Sequence, residues 1–274
     1  MSSPGTLRAA TTLALWAAAW QGGASADDVL MAIDDSGHRA GVRAATADIA
    51  DATGLPGPGS PSGGSASLLP LLRSGGHPQL LLPYPGDMRG LPLGGELTVA
   101  GLDAGAVVVM TGNDLALVPT DGQWRVFGCT TRHPPLGLGQ AHEILDAAVG
   151  RATKSLTALD VARGSDTARE QVRLVMLDEA VSSPPGTPAA ASALLATSIS
   201  LYALLAVADS QDTAAATSYE MAAVDDVLRS LSIAIRESRR AAVGAAVTAL
   251  SEPRNGSMHA VRSSRPGQRS RRSD

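Results

Sequence analysis

A helix-rich α+β fold with one small antiparallel β-meander follows from three features of the 274-residue sequence. Apolar residues recur at helical spacing over the first fifty positions and again from about residue 139. Between Leu68 and Gly128 the texture changes to short apolar runs broken by turn residues, as antiparallel strands read. A Gly/Pro/Ser-rich stretch at 54–67 separates the first two textures. These features predict one α+β domain over residues 5–251, made of a helical part (5–53), a flexible excursion (54–67), the meander (68–128) and a helical bundle (139–251). A disordered basic tail (252–274) follows, because its apolar content is too low to offset chain entropy.

The first helix runs from Leu7 to about Gln21, with Leu13, Trp16 and Trp20 on one face. The same residues compete with an export signal, since Arg8, an uncharged run and Ala24-Ser25-Ala26 match a leader and its cleavage site. Two tryptophans and two threonines make a weak apolar core for a leader, and Ser25 followed by Asp27 and Asp28 reads as the cap and acidic first turn of a second helix. A packed helix in a cytoplasmic protein is therefore expected, with export as the alternative if residues 7–26 are a leader. The second helix spans Asp27 to about Asp35, and a third spans Gly41 to about Thr53, stopped by Gly54 and Pro56.

Strands are expected at Gln79–Leu82, Ala106–Met110, Leu115–Val118 and Trp124–Phe127, while Glu96–Leu102 fits either type. Gly112-Asn113 and Asp121-Gly122 stand at hairpin spacing and tolerate positive φ. After Pro134, Pro135 and Gly137 the helical period returns. Leu145, Val149, Ala152, Leu156 and Leu159 form a stripe closed by Gly164, and Ser165 or Asp166 caps a helix to about Ala180. The prolines of SSPPGTP (182–188) break the chain. Residues 189–208 are uncharged and long enough to span a bilayer, yet they are rich in alanine and lack a flanking basic cluster. A central helix buried on all sides, with no membrane span, is expected. In the last helix Val224, Leu228, Leu231 and Ile235 form the apolar stripe, Asp225 stands four residues before Arg229, and the face beyond Ile235 becomes alanine.

The segments LRAATTLALWAAAW, LPYPGDMRGLP, PPGTP and VLRSLSIAIRESRRAAV, in this order, resemble a family of uncharacterised proteins from high-GC actinobacteria over most of residues 7–249. That resemblance implies a cytosolic single-domain protein in which the first helix is part of the fold. It supplies no activity and no catalytic residue.

Composition excludes several function classes. Cys129 is the only cysteine, so no internal disulfide forms. The formal charge of −4 offers nucleic acid no general attraction. From Pro253 onward, six arginines against Asp274 give charge without aromatic residues to stack on bases, so no specific nucleic-acid binding is expected. No GxxxxGK[ST] and no GxGxxG after a strand occurs, and no cofactor is expected. Cys129, His133, His142 and Glu143 are the only clustered metal-ligand types; HEILD lacks the second His of a metalloprotease helix, and no metal site is expected.

Asp87 and Arg89 of LPYPGDMRGLP, with Trp124, Arg125, Arg132 and His133, form the one candidate ligand site. An Arg could hold an anion, Trp124 could form a wall, and Asp87 or His133 could take a proton. Equally, Pro85-Gly86-Asp87 could be a tight turn whose Asp pairs with Arg89. The leading expectation is a non-enzymatic protein-interaction or accessory protein whose partner is another protein or a second copy. The alternative is a small-molecule-binding protein or enzyme with its site at Asp87, Arg89, Trp124, Arg132 and His133.

Overall fold

The computed structural model describes residues 5–39, 41–88, 90–158, 166–210 and 218–252. Helix α1 (Thr6–Gln21) lies at the centre, with 13 of its 16 residues buried. The indole and amide N–H groups at its C-terminal end are satisfied from outside the helix. Trp16 Nε1 donates to Ser182 O at 2.9 Å and Trp20 Nε1 to Leu69 O at 3.1 Å. Gln21 Nε2 donates to Leu72 O and Gly76 O, both at 2.7 Å. Most of the stretch that also matches a leader thus forms a largely buried helix of this fold. Helix α2 (Ala26–Asp35) starts where Ser25 Oγ accepts the Asp28 N–H at 3.1 Å.

The third helix predicted from Gly41 is a strand followed by a helix. β1 (Val42–Ala44) pairs in parallel with β5 (Gln123–Gly128), and α3 (Ala47–Thr53) begins only at its Thr46 cap. Tertiary pairing overrides the local pattern. Val42 exchanges backbone bonds with Gly63 at 2.8 and 2.9 Å, and Ala44 N–H reaches Pro56 O at 2.9 Å. The segment expected to be a flexible excursion is therefore laid along the outer edge of β1. Gly41 adopts φ 101°, and a Cβ there would lie 1.9 Å from Gly63 O, so this approach requires glycine.

A 3-10 turn (Ser65–Ser67) leads into α4 (Leu68–Ser74), a short helix that the strand-like texture concealed. β2 (Pro78–Leu81), β3 (Val107–Met110) and β4 (Leu115–Thr120) join β5 in the predicted meander. The ambiguous segment folds as helix α5 (Glu96–Ala104). Strand order is β1-β5-β4-β3-β2, all neighbours antiparallel except β1 and β5. The β4–β5 turn uses Asp121 (φ 47°) and Gly122 (φ 73°) as predicted. In the β3–β4 turn the positive φ falls instead on Asp114 (φ 54°), whose carboxylate accepts from Arg132.

Alternation along the strands divides the sheet. Val42, Ala44, Leu80, Val108, Leu117, Trp124 and Val126 join the core around α1. Ala45, Leu81, Val107, Val109, Ala116, Val118 and Phe127 pack with Leu97, Ala100 and Ala104 of α5 on the other face.

The C-terminal helices are α6 (Leu138–Ala158), α7 (Asp166–Asp178), α8 (Ala189–Ser210) and α9 (Ser218–Ser251). α9 packs against α1, α6, α8 and β2. α8 is long and apolar enough, by length and composition, to cross a membrane. It is not buried on all sides: Ala191, Leu194, Ser198, Ile199, Ala203 and Val207 face inward, while Ala193, Ala196, Thr197 and Leu204 are exposed. Alanine and serine fit either environment, so composition could not distinguish the two. Leu159, Gly164, Ser165 and the tail from Pro253 lie outside the described residues, as do the side chains of Leu156, Val224 and Asp225.

The alanine face expected beyond Ile235 is interrupted by buried charge. Arg240 donates to Leu80 O (3.1 Å), His133 O (2.6 Å) and both Glu237 oxygens (2.8 and 2.9 Å). Arg239 donates to Glu179 Oε2 at 2.9 Å and lies over the Tyr202 ring at 5.6 Å. Burial pushes the Glu179 carboxyl above its ordinary range, against the pull of Arg239. Removing one member of a buried pair strands the other charge. Glu179→Ala is therefore expected to lower unfolding free energy by about 3–5 kcal/mol in urea titration, whereas exchanging both Glu179 and Arg239 for leucine costs less than the single change.

Candidate functional site

Tyr84 and Asp87 close a tight turn, Tyr84 N–H to Asp87 O at 3.0 Å and Asp87 N–H to Tyr84 O at 2.7 Å. The Asp87 carboxylate meets Arg236 of α9 at 3.4 Å, and Arg236 also donates to Leu82 O at 3.3 Å and covers the Tyr84 ring at 4.9 Å. Arg89 lies outside the described residues. One charge partner of Asp87 comes from a helix 149 positions away, which no local pattern could reveal.

The other candidates are spread over the fold. Arg132 directs its donors to the carbonyls of Cys129 (3.1 Å), Thr131 (3.1 Å) and Thr111 (2.8 Å) and to Asp114, fastening the β3–β4 turn. The His133 carbonyl receives Arg240, and its N–H reaches Gln79 Oε1 at 3.3 Å. Trp124 is fully buried on the α1 face of β5. Two strands separate β5 from β2, a span of about 14 Å, so the indole does not wall a site at Asp87. Asp87 and His133 share the α9 arginines; Trp124 and Arg132 do not join them. Cys129 is a buried free thiol, and His142 contacts Asp146 at 3.5 Å on the surface of α6. Among the described residues no three His, Cys, Asp or Glu side chains are grouped to hold a metal.

The concave site lies elsewhere, on the α5 face of the sheet. α5 covers β4 and leaves the β5–β1 end open, forming a groove of about 900 Å³. Its floor carries Arg43 and Arg125, which are register partners on the parallel β1–β5 pair and so stand side by side. Thr120 of β4 adjoins them. One wall is α5, whose Glu96, Val99, Ala100 and Asp103 recur at helical spacing on the groove side. Pro58, Gly59, Asp121 and Gln123 complete the rim.

Like charges on neighbouring strands repel unless compensated. Arg125 is compensated by Glu96 at 3.8 Å and by the Phe127 ring at 5.0 Å beneath its guanidinium. Arg43 is not: its Nε is buried without a hydrogen-bond partner among the described residues, and so is Thr120 Oγ1. Two adjacent guanidinium groups on the floor of one polar concavity, only one of them in an ion pair among the described residues, favour an anion there. Arg125 was visible in the sequence as a candidate. Arg43 was missed because its strand read as helix, although the VRA and WRV patterns, each with an Arg between two apolar residues, are what a half-covered strand would show.

Behind the sheet, on the α1 side, His38 packs against Trp124 with ring centroids 5.3 Å apart. His38 Nδ1 and Trp124 Nε1 are both buried without partners among the described residues. Burial lowers the His38 pKa below its ordinary value of 6.5, and a hydrogen bond to the Ser36 backbone offsets this only in part.

Comparison with known proteins gives a consistent family match. The model for the N-terminal domain of Rv1486c-like proteins matches residues 10–140, and the model for their C-terminal domain matches residues 139–243. The uncharacterised protein Rv1486c of Mycobacterium tuberculosis strain H37Rv is 37% identical over 121 residues, and so is the uncharacterised protein MT1533 of strain CDC 1551. Each alignment covers 39% of this chain and 42% of the relative. No solved structure matches.

The His38 environment fixes a pH dependence. The folded state holds the imidazole neutral where the unfolded chain still binds a proton, so this contribution is complete above pH 6.5 and is lost as pH falls toward the lower folded value. Urea titrations at pH 7.5, 6.0 and 5.0 should show that loss, and His38→Gln should remove the part arising below pH 6.5.

Proposed function

The chain belongs to the family of Rv1486c-like proteins, and we propose that it is a binding protein whose groove beside α5 takes a small polar molecule. The names of its relatives carry no activity, so the reading rests on one observation: two arginines side by side on the groove floor, only one of them in an ion pair among the described residues. Like charges on neighbouring strands repel unless compensated, and a bound anion compensates them. The lining includes guanidinium and carboxylate groups but no His, Cys, Ser or Lys, which suits recognition better than covalent chemistry. The groove is a different surface from the loop around Asp87.

The test is a thermal-shift screen against a metabolite panel. A ligand present at 100 times its Kd stabilises the fold by about 2.7 kcal/mol, a shift of roughly 5–11 °C for a chain of this size. Arg43→Gln and Arg125→Gln should each abolish most of that shift while leaving the unliganded melting temperature within about 2 °C. A panel that shifts nothing, or a hit indifferent to both changes, would refute the reading.

A second reading, association with another protein or a second copy, is supported by the outer side of α7 and α8. No described side chain of α7 is buried, and Leu174, Leu177 and Leu204 are 53%, 57% and 51% exposed. Exposed leucines on adjacent helices raise the apolar area available to a partner. Sedimentation-velocity runs should then show a species above 27.7 kDa, reverting to monomer in the Leu174→Arg, Leu177→Arg double variant. A monomer at every concentration up to about 100 μM would remove self-association, since few specific contacts are weaker.

A further inference from the structure

Resting on the groove as a ligand site, we infer the class of its ligand: a phosphorylated, hydroxylated and non-aromatic small molecule, that is, a sugar or polyol phosphate. The argument begins with the floor. A carboxylate is satisfied by one planar guanidinium fork, which would leave the second arginine idle beside it. A phosphate monoester presents three oxygens and close to two charges, enough to engage two guanidinium groups at once. Arg43 and Arg125 are in register on adjacent parallel strands, about 4.8 Å apart at the backbone, so their side chains leave the sheet side by side and one phosphate can engage both.

The wall selects the rest of the molecule. Glu96 and Asp103 stand seven residues apart on α5, two turns along the groove-facing side and about 10 Å from end to end. Carboxylates are acceptors only, so they favour a ligand body with several O–H donors. Glu96 holds Arg125 loosely, at 3.8 Å, and its side chain is 69% exposed, so it can yield the guanidinium to a phosphate and turn to a hydroxyl. None of the lining residues is aromatic. A nucleobase would find no ring to stack on, and stacking is the main sequence-tolerant source of its affinity. Size agrees: about 900 Å³ in an open groove exceeds what inorganic phosphate needs and lies within the range of small-ligand sites.

Isothermal titration calorimetry on the full chain separates the possibilities. The ligands are ribose 5-phosphate, glucose 6-phosphate, glucose, gluconate, AMP and inorganic phosphate. At least one sugar phosphate is expected to bind about tenfold or more tighter than its unphosphorylated sugar, than gluconate, than AMP and than inorganic phosphate, the worth of one charge-assisted contact. Arg43→Gln and Arg125→Gln should each weaken that ligand about tenfold, and Asp103→Asn should weaken the sugar phosphate while leaving inorganic phosphate unchanged. Circular dichroism confirms that each variant is folded. If AMP or gluconate binds as well as the sugar phosphates and the arginine variants still weaken it, the groove reading stands and the ligand class fails. If no compound binds, or binding survives both arginine changes, both fail.

Discussion

Everything in this fold is arranged by the burial of α1 on every side. A helix with 13 of 16 residues buried can be enclosed only if its neighbours come close, and its alanines permit that. The sheet approaches from one side, through β2, β3 and β4, and α9, α2 and α4 close the others. Contact is close enough at Gly22 that a Cβ would fall 2.0 Å from Leu250 O. The two family domain models part at residues 139–140, yet side chains of α6, α8 and α9 enter the same apolar core as α1 and the sheet. Enclosure also sets a polar condition. Indole and amide N–H groups at the C-terminal half of α1 must find acceptors on neighbouring elements, and they do so at Leu69 and Leu72 of α4 and at Ser182 and Gly76.

The same helix packing protects the sheet's edges, which would otherwise invite pairing with another chain. At the β2 edge, α9 extends Arg240 to Leu80 O and Arg236 to Leu82 O. At the β1 edge, the glycine- and proline-rich segment bonds to Val42 and Ala44. Arginine suits the first task because its planar fork reaches several carbonyls from one buried stem, which the single ammonium of lysine does less well. Arg240 serves β2, the His133 loop and Glu237 together. Buried charge of this kind adds little net stability over an apolar substitute; what it adds here is a defined seating of α9 against the strand edge.

How much of this was legible depends on the range of the interaction. The meander was readable because each hairpin joins strands only a few residues apart and its turn residues carry the signal, Asp121-Gly122 most clearly. The cap at Ser25 is equally local. β1 was not readable, since it pairs with a strand some eighty positions away and Gly41–Ala45 has no alternation long enough to oppose a helical pattern. Trp124 shows the same limit: β3 and β4 stand between its strand and the Asp87 turn. Arg43 and Arg125 each look solitary in the chain, and only parallel pairing makes them a pair.

The groove inherits its rigidity from the core. Thr6, the first residue of α1, donates its hydroxyl to Ala104 O at the C-terminal end of α5 with a distance of 2.7 Å. A Cβ at Gly101 would lie 2.9 Å from Val107 and 3.1 Å from Leu91, so α5 sits tightly on β3. The floor is as constrained, because β1 is bonded on both sides, to β5 and to the 54–67 segment. The arginines and the α5 wall are thus positioned before any ligand arrives, and little ordering entropy remains to be lost on binding. The exposed parts are Pro58-Gly59 on the rim and Glu96, Val99 and Asp103 along α5. That division fits a site in which fixed cations receive a fixed anion and an adjustable carboxylate accommodates the variable part of the molecule.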